Sequence, residues 1–306
     1  MHLFHTPLLA VADGADAIYD VEFQRRLARW NSRRLAPSVP TEDWMQDLTE
    51  DHRMQVQENL FIERCRADAS ERAAEAPEDP DGFLAWYEGL RETGPGQNDP
   101  LFPWLAREAT LEQMRWFLTQ EFTGEAGFDD LLAYTQVKLP APAKLELARN
   151  YWDEMGRGSA AGMHGPMLGR LARALDLKPT IEGTLSAPLA LGNAMVAMAT
   201  NRRLTFQSVG ALGVIELTAP WRAAHVAEGL KRLRVGKDRQ YYALHSVIDV
   251  KHSATWNAEA IRPLVEADPA AARQIAEGAL IRLSWGARCF DAYRAQLWGD
   301  ADRRVA

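Results

Sequence analysis

The chain of 306 residues is poor in the side chains that most often hold metals or staple small folds. It has two cysteines, Cys65 and Cys289, and seven histidines. Two thiols are too few for a disulfide framework or a thiolate zinc site. Basic residues are also short: 35 Lys and Arg face 42 Asp and Glu, for a formal charge of −7. That balance argues against nucleic acid or an anionic membrane as the main partner, since both require a basic face. No apolar run reaches the roughly 18 residues of a membrane span. The longest, residues 187–200, is interrupted by Gly192 and Asn193. The opening Met-His-Leu-Phe-His lacks a basic start, and residues 7–12 are too short for a signal-peptide core. The expectation is a cytoplasmic protein with no membrane partner. Alternating β pattern is nearly missing too; its best stretch, around residues 180–184, is short.

What the chain does have is helical periodicity almost throughout. Val21, Phe23, Leu27 and Trp30 recur at helical spacings, as do Phe83, Trp86, Tyr87 and Leu90. Thr110 and Gln113 form a capping-box pattern, Pro188 follows Ser186 at a helix start, and Pro220 reads as a break. The fold class is therefore all-α, with helices near 18–35, 41–65, 80–93, 101–108, 111–136, 141–156, 163–176, 187–201, 204–218, 221–234, 239–258 and 269–298. Gly94, Pro95, Gly96, Asn98 and Asp99 mark a seam at residues 91–100. It divides a helical N-terminal section, residues 1–97, from the main helical domain, residues 98–306. The aromatic residues of the first section suggest that it packs on the second.

The densest chemistry lies in His245-Ser-Val-Ile-Asp249-Val-Lys-His252. At about 100° per residue, offsets of 0, 4 and 7 fall within a stripe about 60° wide and about 10 Å long. Two imidazoles and a carboxylate on one stripe read either as polar residues on a half-exposed face or as a half-shell for a metal. Nitrogen and oxygen donors suit iron or manganese, and the lack of cysteine disfavours closed structural zinc. Other helices must complete such a site. Glu216 is the sole charge between Arg203 and Arg222 and stands in an apolar run. Buried there, it needs a metal or a strong donor. Glu154, with Asp153 as its competitor, lies ten residues before His164. On a straight helix the two would be about 15 Å apart, so they share a site only if the glycine-rich stretch between them loops out. Glu121, Glu125 and Asp129 repeat at four-residue spacing, as a solvated acidic face or a source of one more functional carboxylate.

Taken together, Glu154, His164, Glu216 and the His245-x3-Asp249-x2-His252 run resemble the heme-oxygenase-like diiron oxidases and oxygenases, also described as iron-containing redox enzymes. The text around residues 120–130 and 146–156 is similar to that family as well, and the likeness covers roughly residues 100–265. It implies a heme-oxygenase-like helical bundle with an additional helical N-terminal section. It also implies two Fe ions (Fe2+/Fe3+) held by Glu154, His164, Glu216, His245, Asp249 and His252, with Asp249 bridging or shared. Glu121 or Glu125 would be a supplementary catalytic carboxylate. Some members carry another Glu three residues before the histidine, where this chain has Ala161. Heme itself is not the implied substrate, because a carboxylate-rich set would have no role on it.

The resemblance further implies an O2-dependent oxidoreductase with O2 as co-substrate. Its organic substrate would be small, amino-acid-like or fatty-acid-like, undergoing N-oxygenation, desaturation or C–C cleavage. An external electron donor and a homodimer accord with the same family. Phe122, Tyr134, Trp152, Tyr241, Tyr242 and Trp256 would wall the pocket or simply fill the core. The competing reading is a non-catalytic helical binding or scaffold protein, or a cofactor carrier on the same fold.

Overall fold

The computed structural model describes residues 17–124 and 127–299. Every regular element among them is a helix. Local chemistry sets most helix starts. Asp20 accepts from the Phe23 amide at 2.8 Å and opens α1 (Val21–Leu35). A long α2 (Trp44–Ala73) follows. Asp79 caps Gly82 ahead of α3 (Pro80–Thr93), whose first residue is a proline without an amide to satisfy. Asp99 does the same for Leu101 and α4 (Leu101–Arg107). The reciprocal capping box is present at α5 (Leu111–Gly124): the Gln113 amide donates to Thr110 Oγ1 at 3.2 Å, and the Thr110 amide to Gln113 Oε1 at 2.9 Å.

The remaining helices build the site and its support. They are α6 (Phe128–Thr135), α7 (Ala141–Glu154), α8 (His164–Ala174), α9 (Ser186–Thr200), α10 (Thr205–Arg232), α11 (Gln240–Trp256), α12 (Arg262–Ala267) and α13 (Ala270–Trp298). Three expectations are corrected here. The helix read over 111–136 is two helices, because the backbone turns left-handed at Gly127 and restarts as α6. The helix read over 41–65 is α2, which begins at Trp44 and runs on to Ala73. Pro220 does not end a helix: α10 runs through it. A proline there removes one rung, leaving the Glu216 carbonyl without its partner four residues on, and packing on both sides holds the helix together.

The apolar run at residues 187–200 becomes α9, the central core helix. Nearly every residue from Pro188 to Ala199 is buried, so it is apolar all round because protein surrounds it all round. No helix among the described residues is long and apolar enough to cross a membrane. Against α9 pack α1, α5, α6 and α13, while α10 lies between α11 and α13. The α10–α13 crossing brings backbone onto backbone. A Cβ on Gly210 would stand 1.9 Å from the Ile275 carbonyl oxygen, and one on Gly278 1.8 Å from that of Gln207. Only glycine permits that approach.

The N-terminal helices are tied to one another and to the bundle by ion pairs with a buried carboxylate. Arg34 of α1 pairs with Glu58 of α2 at 2.6 Å, with the guanidinium over the Trp30 ring. Arg66 of α2 reaches Glu277 of α13 at 2.9 Å. The seam at residues 91–100 is pinned as well, since Arg294 of α13 pairs with the buried Asp99.

Candidate metal centre

Helix α7 stops at Glu154 because the backbone turns left-handed immediately afterwards, with φ of 59° at Gly156, 52° at Arg157 and 85° at Gly158. The turn folds back on itself. A Cβ on Gly156 would lie 2.3 Å from the Gly162 carbonyl carbon. Helix α8 then begins at His164, with Pro166 in its first turn, where amides have no helical partner. The looping-out required by the ten-residue spacing is therefore real: His164 Nδ1 lies 2.7 Å from Glu154 Oε2, and both side chains are buried.

The other four residues come from α10 and α11. Glu216 is buried in mid-α10, and Asn150 of α7 donates to its Oε1 at 2.7 Å. On α11, His245, Asp249 and His252 lie on one stripe, but the stripe serves two groups. Glu154, His164 and His245 form one cluster of potential ligand atoms; Glu216, Asp249 and His252 form the other, with the atoms of each group within 4.8 Å of one another. The two groups meet where His245 Nδ1 contacts Asp249 Oδ1 at 3.0 Å. The His164 and His245 rings also touch edge to face, with centroids 4.6 Å apart.

Each histidine has one buried ring nitrogen with no hydrogen-bond partner: Nδ1 of His164, Nε2 of His245 and Nδ1 of His252. Close carboxylates do not satisfy them. His164 Nδ1 is near Glu154, and His252 Nδ1 is 3.5 Å from Glu216 Oε2, but neither pair is aligned as a hydrogen bond. Such a nitrogen left unpaired costs about 1–3 kcal/mol. A cation bound between imidazole and carboxylate satisfies both, so the residues present fit a metal.

Electrostatics agree. Burial, then the charge of Glu216, pushes the Asp249 carboxyl up to about 6. Burial opposes protonation of His245, but the Asp249 hydrogen bond and the charges of Asp249, Glu154 and Glu216 outweigh it and raise the imidazole to about 9. His252 rises to about 9 against the same opposition from burial, through Glu216 and Asp153. Three buried carboxylates side by side favour positive charge among them, as protons or as metal.

A cavity of about 90 Å³ opens onto Glu154, Glu216, His245 and Asp249. Its walls are mainly apolar, with Phe102, Phe117, Phe128 and Phe290 prominent, and Tyr241 and Tyr242 complete it near His245. Phe122, Tyr134, Trp152 and Trp256 do not line it: Trp152 and Tyr134 are largely exposed, and Trp256 is core. Glu121 lines the same cavity but stands beside Cys289 and Tyr293, outside both ligand groups. Glu125 lies outside the described residues. Neither cysteine joins the clusters; both are buried and unpaired by disulfide, and burial pushes the Cys65 thiol up to about 12.

Asp153 is the residue whose part the spacing did not reveal. It does not compete with Glu154. Its Oδ2 lies 3.2 Å from His252 Nε2 and its Oδ1 2.6 Å from Arg157 Nε. On a helix, adjacent residues point about 100° apart, so Asp153 and Glu154 can each face a different ligand group.

No curated protein matches the chain. A model of the iron-containing redox enzymes matches residues 115–287, a span that holds all six clustered residues. With more than half its length matched, the chain belongs to the iron-containing redox enzyme family.

Proposed function

We propose that the chain is a non-heme diiron oxidase or oxygenase that uses O2 to oxidise a small organic substrate. The observation that carries this reading is the pairing of two three-residue N/O ligand groups across one stripe of α11, each with an imidazole nitrogen left over for a metal. Glu154, His164 and His245 would hold one iron, and Glu216, Asp249 and His252 the other. Two such ions, when bound, would supply electrons for dioxygen reduction and open coordination positions.

The chain's own residues set the conditions. Neutral imidazoles and anionic carboxylates favour the oxidised metal. The aromatic walls of the cavity would limit the access of water to the reacting centre. Asn150 holds Glu216 in place through its Oε1, leaving Oε2 towards His252. An amino-acid-like or fatty-acid-like substrate would enter through the apolar cavity, and an external donor would return electrons after turnover.

The test is a count. Purified protein is titrated anaerobically with Fe(II), and tightly bound iron is measured per chain. Two irons are expected, with a near-UV or visible absorbance change on admitting O2. Fewer than one iron, unaffected by His245→Ala or His252→Ala, would return the chain to the scaffold reading.

A further inference from the structure

From His252 of the second ligand group, a relay through two residues outside the six clustered ones leads to the protein surface. His252 is buried and faces Glu216 with Nδ1. Its other nitrogen, Nε2, meets Asp153 Oδ2 at 3.2 Å. Asp153 is held in turn by Arg157, whose Nε lies 2.6 Å from Oδ1. Arg157 is exposed, and its backbone is left-handed at φ 52°, an uncommon setting for a side chain with a Cβ. The loop carrying it is tied down again by Arg170, which donates to the Ala161 carbonyl at 2.9 Å.

We propose that Asp153 is a positioning residue for the second metal, fixing His252 so that Nδ1 is the ligating nitrogen, and that Arg157 latches Asp153 in that pose. The inference rests on the diiron reading above. A carboxylate accepting from Nε2–H leaves Nδ1 with its lone pair free and aimed at the Glu216–Asp249 group. Asp153 cannot itself join that group, because it lies on the opposite edge of the His252 ring. One loop thereby serves both metals: Glu154 and His164 at its two ends hold the first, and Asp153 and Arg157 at its start orient a ligand of the second.

Anaerobic Co(II) titration, read by ligand-field absorption, tests this without turnover. Wild-type protein should take up two Co(II) per chain. Asp153→Ala should weaken one of the two by roughly tenfold to a hundredfold and shift its absorption band, leaving the other unchanged. Asp153→Asn retains a carbonyl acceptor for Nε2–H and should recover most of the loss, whereas Arg157→Ala should lose affinity severalfold at the same ion only. Two wild-type-like ions in Asp153→Ala would overturn this inference alone. No Co(II) in the wild type would overturn it together with the diiron reading. Should Asp153→Ala fail to fold, Arg157→Ala decides: a second ion with wild-type affinity and absorption in that variant would overturn it.

Discussion

His245 and Asp249 touch, Nδ1 to Oδ1 at 3.0 Å, one turn apart on α11, yet they belong to different ligand groups. The contact makes the two groups one electrostatic unit. The orientation of a donor in the first depends on the charge of a donor in the second.

Asp249→Asn should therefore uncouple affinity from stability. The Asp249 carboxyl stands at about 6 rather than its ordinary 3.8, so keeping it ionised at pH 8 works against folding in the metal-free protein. The amide removes that cost while still offering His245 an oxygen. Helicity by circular dichroism should be unchanged, and the metal-free melting temperature at pH 8 equal or higher. Iron affinity should fall at least about tenfold, in line with loss of a charged ligand. A melting temperature lowered by many degrees would point to a structural role.

Metal-free stability should depend on pH with a definite sign. His245 and His252 sit near 9 when folded, against an ordinary 6.5. Groups whose folded values are raised contribute fully below about 6.5, and the contribution drains away as pH climbs through 9. The metal-free melting temperature should thus decline between pH 6.5 and 9. Loaded protein should not follow that decline, since the metal displaces those protons, and adding Fe(II) or Co(II) at pH 7 should release protons measurable in a weakly buffered solution. A flat metal-free profile would contradict this account.

Gly156→Ala should damage the first ligand group. A Cβ there meets the Gly162 carbonyl carbon at 2.3 Å, and the φ of 59° is itself unfavourable for alanine. The strain is worth about 1–3 kcal/mol, and the fold-back cannot close without a shift. Urea denaturation should show the loss. Metal titration should show weaker binding at the Glu154–His164–His245 group.

Arg34→Met should test the tie between α1 and α2. The substitution leaves Glu58 buried without its cation, and burial already pushes that carboxyl upward. Stripping one partner from a buried pair costs about 3–5 kcal/mol. The double variant Arg34→Met/Glu58→Leu should recover much of it by removing the stranded charge. Chemical denaturation of the three proteins checks both statements.

Most of the candidate site was legible because it depends on short spacings. The α11 stripe follows from helical geometry alone, and the solitary charge of Glu216 in an apolar run marks it as buried with a purpose. The Glu154–His164 pairing was legible as a condition, since the glycines at 156, 158 and 162 permit the fold-back without compelling it. Asp153 was not, because its partners lie four residues ahead in a left-handed loop and 99 residues away on another helix. Pro220 misled for a related reason. Its local preference is to end a helix, and the close packing of α10 against α11 and α13 overrides it. Nor does spacing show that the stripe divides between two potential ligand groups; that division appears only when α7, α8 and α10 are brought around α11.

Both ligand groups draw on α11: His245 completes the first, and Asp249 and His252 most of the second. Glu154, His164 and Glu216 all precede that helix in the chain. Until α11 docks, neither group is assembled, so the growing polypeptide has no preformed seat for whichever metal it meets first. Metal selection would thereby be deferred to a nearly complete fold, where the shape and donor set of the finished site would make the choice.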